Sequence, residues 1–311
     1  GVLIALMALF KTYLGSIIDD KVWKGIAEGL NYGLGFMVIF MLHFTVATKQ
    51  PAMTAARFAE AVEKTPQGKS VNMKLAQLLV DVFRSQSIAV LGNVIIAMGL
   101  AALIAFGYQY KTGEPLMNAD QIAYQLHSID PFAGTLWFAA IAGVWLFCSG
   151  IISGYFDNRS NYLNMRMRLA QHPLLKKLMS EKTRVKFANY MHENYGSLIG
   201  NLCFGMLLGI TGVVGYLTHL PLDIRHVAFS SANVGYIAVS GHFTYSLLLQ
   251  CIGFVLLIGL VNLVVSFSLT LWVALRSLNA EIDSWWPIWH EVCQIVKKRP
   301  LSLFLPIQLD K

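Results

Sequence analysis

Residues 245–275 read YSLLLQCIGFVLLIGLVNLVVSFSLTLWVAL, thirty-one residues with no Asp, Glu, Lys or Arg before Arg276. About 20 helical residues cross the hydrocarbon core of a bilayer. The run is continuous rather than alternating, and it is several times the length of a strand, so it reads as helix. An open strand would in any case leave backbone groups unpaired in lipid. The surplus length is expected to tilt or to continue into the cytoplasm. Five further blocks have the same character: 1–18, interrupted by Lys11, and 30–48, 87–108, 132–156 and 197–220. The chain of 311 residues is 56% hydrophobic and 13% charged, where soluble proteins carry roughly 25% charged residues. The expected fold is all-α: a polytopic membrane helical bundle of six transmembrane helices, one membrane domain over 1–311, with amphipathic helices beside it. With Gly1 inside an apolar run, upstream sequence is expected ahead of it.

Lysine and arginine orient the bundle. The segments 49–86 and 157–196 and the tail from Arg276 hold 19 of them, and the alternate connections hold only Lys21, Lys24, Lys111 and Arg225. The positive-inside rule then places the long basic segments and both ends in the cytoplasm and the short loops outside, in a bacterial inner membrane. The net charge of +7 follows from this topology and from contact with anionic lipid head groups.

The basic segments carry apolar periodicity. Val71, Leu75, Leu78, Leu79 and Val82 make one helical face, and 52–62 reads as a helix with Pro51 at its first turn. Leu163 and Met167, then Leu174 and Leu178, then Phe187 and Met191 form stripes around Pro173. These helices are expected to lie on the membrane or pack on one another. Trp285, Trp286 and Trp289 follow the last span, where aromatic residues favour the interface.

Little in the sequence points to catalysis. The four cysteines are far apart, with no CxxC or Cys/His cluster, so no metal or other cofactor is expected. Lys11 is expected to snorkel from its span. Gly205 and Gly209 form a GxxxG, which permits close helix contact. Polar residues at depth are His43, Asn93, Asn201, Gln250, Asn262 and Ser266, read as interhelical hydrogen-bonding groups or as a solute path. The outer loop 221–233 gathers Asp223, Arg225, His226, Ser230, Ser231 and Asn233 among Leu222, Ile224, Val227, Ala228 and Phe229. No nucleophile elbow accompanies its Ser, His and Asp. The loop is expected to form an ordered lid, with Asp223 near a helix start, Arg225 paired to Asp223 or covering a carbonyl-lined end, and Phe229 buried.

Several strings carry a resemblance: GFMVI at 35–39, HFTVATKQPAMTAA at 43–56, SGIISGYFDN at 149–158, LPLDIRHVAFSSAN at 220–233, GLVNLVVSF at 259–267 and LWVALR at 271–276. Together they are similar to the bacterial family of site-specific recombinase transmembrane proteins over nearly the whole chain. The resemblance implies a mostly helical region ahead of the first span. The family label names a chemistry whose residues are not visible. A tyrosine recombinase needs an Arg–His–Arg set around a nucleophilic Tyr, and the only adjacent Arg-His pair, Arg225-His226, is expected on the side away from DNA.

No catalytic, cofactor-binding or metal residue is therefore assigned. The candidate functional polar residues are His43, Lys49, Gln50, Asp157, Asn158, Asn201, Asp223, Arg225, His226, Ser230, Ser231, Asn233 and Asn262. The expected partners are membrane lipids and proteins at the cytoplasmic helices, without specific nucleic-acid binding. The expected role is a non-enzymatic scaffold or envelope-assembly protein. The alternatives are a transporter or lipid-handling protein, and a membrane-associated DNA recombination factor.

Overall fold

The computed structural model of the protein describes residues 1–44, 58–62, 69–240, 243–279, 282 and 284–304. Among them there are helices and no strands: α1 (Val2–Ile17), α2 (Lys21–Met41), α3 (Lys69–Thr112), α4 (Ala119–Ile129), α5 (Thr135–Tyr162), α6 (Met165–Gln171), α7 (Pro173–Leu178), α8 (Glu181–Thr218), α9 (Val227–Ile237), α10 (Tyr245–Ser277) and α11 (Trp286–Lys298). Residues 58–62 are also helical.

The all-α expectation holds. Four helices, within α3, α5, α8 and α10, are long and apolar enough to cross a membrane, and α1 is a shorter apolar helix. The second block differs in position. Its helix begins at Lys21 rather than near 30, because Asp20 caps it: Oδ1 accepts the Val22 and Trp23 amides, both at 2.9 Å. Residues 45–48 of that block lie outside the described residues. The earlier start brings Glu28 inside α2, where it meets Lys11 at 3.6 Å. Lys11 also sits 5.8 Å from the Tyr32 ring centroid.

The amphipathic stretch before the third block is not a separate helix. It is the first half of α3, whose 44 residues reach about 66 Å at 1.5 Å per residue. A hydrocarbon core is about 30 Å thick.

The chain divides into two compact units. Gly1–Phe10, Gln50–Phe147 and Asp223–Lys311 form the first. It has an apolar core of Phe58, Val62, Leu75, Ala76, Leu271 and Ile288, with Trp285 stacked on Phe58 at 6.0 Å. Leu78 and Leu79 pack against it, as their helical spacing with Leu75 predicts.

Lys11–Lys49 and Cys148–Leu222 form the second unit. It is built on close backbone approach. A Cβ on Gly205 would strike the backbone of Gly33, and one on Gly209 the backbone of Gly29. The GxxxG of α8 thus meets Gly25, Gly29 and Gly33 of α2, a matching small-residue ladder in the sequence. On α8 again, a Cβ on Gly200 would lie 2.9 Å from Ser153 Cβ and 3.0 Å from the Ser149 carbonyl. The SGIISGYFDN string is therefore a packing surface, with serines at helical spacing against glycines.

Candidate functional site

The candidate residues of 221–233 lead into and lie on α9, which packs in an apolar cluster with Val94, Ile129, Val255 and Ile258. Ten of its eleven residues are buried, Phe229 among them at 6% exposure. With only Asn233 half-buried, the helix is enclosed on nearly every side. The region expected to close over the bundle as a lid is thus a core element, and it continues beyond Asn233 to Ile237. Eleven residues span about 16 Å, half the thickness of a hydrocarbon core.

Small residues let α9 in. Ala97, Ala101 and Ala105 of α3 are each at most 2% exposed, and a Cβ on Gly235 would collide with the Met98 carbonyl oxygen. The Tyr236 hydroxyl donates to the Ala5 carbonyl at 2.7 Å.

A helix buried at its N-terminus must find acceptors for its first amides. Asn262, at 3% exposure in the middle of α10, supplies one. Its Oδ1 accepts the Val227 N–H at 3.1 Å, and its Nδ2 donates to the carbonyls of Ala139 at 2.7 Å and Arg225 at 3.0 Å. One side chain thereby ties α10 to α5, to the incoming loop and to α9.

Arg225 anchors the loop. Its Nε donates to the Ser128 carbonyl at 2.8 Å, and Nη1 donates to the Ile224 carbonyl at 2.7 Å and to Asp223 Oδ2 at 2.6 Å. Its guanidinium carbon lies 5.4 Å from the Phe138 ring centroid, and its own N–H donates to the Phe138 carbonyl at 3.2 Å. The Ser128 carbonyl, in the last turn of α4, also accepts from the Thr135 hydroxyl at 3.0 Å. Arg225 so supplies a donor to the buried last turn of α4 while its charge is met by Asp223. Asp223 Oδ1 accepts the Ile224 amide at 2.8 Å. The Asp223–Arg225 pairing and the burial of Phe229 are both present, but Asp223 does not start the helix: α9 begins after His226, and the Asp223 carboxylate is held by Arg225 and the Ile224 amide instead.

This arrangement does not make a Ser–His–Asp relay. The Asp223 carboxylate is turned to Arg225 and to its own loop, and the Ser231 hydroxyl donates to Ala228 in its own helix at 2.7 Å. His226 lies beside Phe229, ring centroids 6.0 Å apart. Ser230 is buried within α9 and Asn233 is half-buried there.

Burial pulls the His226 imidazole down to about 4, although part of its surface is accessible. An unfolded histidine titrates near 6.5. As pH falls from 6.5 towards 4, the unfolded chain takes up a proton that the folded one refuses. Stability is therefore complete above that window and falls within it, by up to about 1.4 kcal/mol per pH unit. Thermal unfolding in detergent should show the loss, and His226→Gln should remove this part of the slope.

Asp157, Asn158, Asn201 and His43 belong to the second unit. The Asp157 Oδ1 accepts the Gly196 amide of α8 at 3.0 Å. One turn on, the Ser160 hydroxyl meets the His192 carbonyl at 3.2 Å and its Nδ1 at 3.1 Å. Asp157 and Ser160 thus reach the two ends of one backbone rung of α8. Asn201 donates to Ser197 within α8 at 2.9 Å. Asn158 is exposed. His43 is exposed at the end of α2 with φ 58°, where its N–H donates to Phe40. Lys49 and Gln50 lie outside the described residues. Among the described residues no group of three or more His, Cys, Asp or Glu is arranged to hold a metal ion.

Long apolar helices, a helix buried at half-bilayer length and polar groups spent on backbone define an all-α protein of the polytopic membrane type. The family described as site-specific recombinase matches residues 1–306, and the chain belongs to it. Neither a curated protein nor a solved structure matches.

Proposed function

We propose that the protein is a non-enzymatic scaffold or assembly protein of the bacterial inner membrane, with both ends of this chain in the cytoplasm. The observation that carries this reading is the use of Asn262: its acceptor and donors serve the chain's own backbone. Ser266 and Asn201 likewise donate to carbonyls of their own helices. These three polar side chains of the long helices bond the chain's own backbone. Supporting it, α3 and α8 are far longer than a bilayer requires, and their surplus falls on the basic side.

Transport is the competing reading. Proteoliposomes holding the full chain should neither scramble fluorescent phospholipid nor take up solute faster than empty vesicles. Flux above that background would replace the scaffold reading.

The orientation has its own test. In a background lacking the four native cysteines, Ser180→Cys should react with a membrane-impermeant thiol reagent only after the cells are opened. Glu114→Cys should react in intact cells. The reverse pattern would invert the topology.

DNA strand exchange is expected to be absent from this chain. The purified protein should neither cleave nor join DNA, and weak binding should fade steeply with salt and show little sequence preference. A covalent adduct through one of its tyrosines or serines would restore the chemistry that the family's description names.

A further inference from the structure

In the second unit, α5 ends at Tyr162, the chain turns through Asn164 with φ 47°, and α6 and α7 lead into α8. The hairpin is fixed. The α6 helix packs on α8, Arg184 Nε donates to the Ala170 carbonyl at 2.7 Å, and Ser180 caps α8. Arg184 precedes Ser197, where the apolar part of α8 begins, by thirteen residues, about 20 Å along a helix axis. In the orientation proposed above, the hairpin is a spur standing clear of the bilayer on the cytoplasmic side.

What the spur exposes is unlike a solvated face. Met167, Leu174 and Leu178 are 62%, 61% and 78% exposed, and Leu174 and Leu178, four residues apart, share a side of α7. Arg166, Arg168, Lys176 and Lys177 beside them are exposed. Across residues 163–186 the only acidic residue is Glu181, against seven lysines and arginines. Lipid cannot cover leucines that far from the bilayer. A phosphate backbone would use the basic residues and leave the leucines in water.

We propose that the α6–α7 spur docks an acidic amphipathic helix of a cytoplasmic protein partner. Apolar residues three and four apart in that helix would cover Met167, Leu174 and Leu178, and its flanking carboxylates would meet Arg166, Arg168, Lys176 and Lys177. This deepens the scaffold reading and rests on it, by naming a surface and the chemistry of what it holds.

The test places a photoreactive benzoyl-phenylalanine at Leu178 and, separately, at Trp289 of α11 in the full chain in cells. The cross-linked peptides are then sequenced. The expected result is a Leu178 adduct to a helical peptide rich in Asp and Glu with apolar residues at i, i+3 or i+4. The four reversals Arg166→Glu, Arg168→Glu, Lys176→Glu and Lys177→Glu together should lower its yield at least tenfold and leave thermal unfolding unchanged. An adduct only to lipid or nucleic acid, a peptide without acidic residues, or a yield unmoved by charge reversal would overturn the proposal. Protein adducts at Trp289 but none at Leu178 would overturn it and leave the scaffold reading standing; none at either position would overturn both.

Discussion

Asn262→Leu should destabilise the protein by about 3 kcal/mol, since buried backbone groups left unpaired cost about 1–3 kcal/mol each. Leucine matches asparagine in bulk but offers no acceptor to the Val227 N–H and no donor to the Arg225 carbonyl. The Val227 amide is the sharper loss, because a first-turn N–H has no partner within its own helix. The α9 helix should loosen first, seen as faster amide exchange over 227–237 and new protease cutting in the 221–226 approach. Gln250→Leu is the matched control. Gln250 is another polar residue of the same helix, but it is exposed, and its loss should cost less than about 0.5 kcal/mol. Equal effects of the two substitutions would remove Asn262 from its role as the tie between α5, α9 and α10.

Gly205→Leu should prevent the second unit from assembling. A Cβ at this position meets the backbone of Gly33 in α2, and backbone cannot swing aside as a side chain can. Even Gly205→Ala forces the two helices apart, and overpacking of this kind costs typically 1–3 kcal/mol. The leucine variant should go further, with little monodisperse protein recovered in detergent. Gly212, on the same helix, has no atom within 4 Å of the Cβ it would carry. Gly212→Ala should therefore be tolerated, with a gain in helix propensity towards about 1 kcal/mol. The contrast separates a packing role from a general intolerance of larger residues in α8.

The recombinase description of the family and the proposed role meet at Arg225-His226. In sequence this pair is the nearest approach to a recombinase signature. In the fold, Arg225 is bonded to two carbonyls and a carboxylate, and His226 is held neutral beside Phe229. A phosphodiester would have to displace these partners before either residue touched it.

The helical class and the long helices were legible in the sequence, because uncharged runs of more than twenty residues have few other solutions in lipid. So was the pairing of Asp223 with Arg225, two opposite charges two residues apart in an apolar loop. The start of α2 was not, because hydropathy rises only near Leu30 whereas the Asp20 cap sets where the helix begins. The character of α9 was readable in principle from its mostly apolar sequence, but its short length resembled a loop. The partners of Asn262 could not be read at all: Ala139, Arg225 and Val227 lie 123, 37 and 35 residues away along the chain. The α2–α8 glycine contact likewise depends on which helix packs where. Local chemistry and hydropathy determine which segments become helices, since those terms act within a few residues. Which polar group serves function and which only holds backbone is decided by contacts between distant segments, and these exist only once the helices have packed.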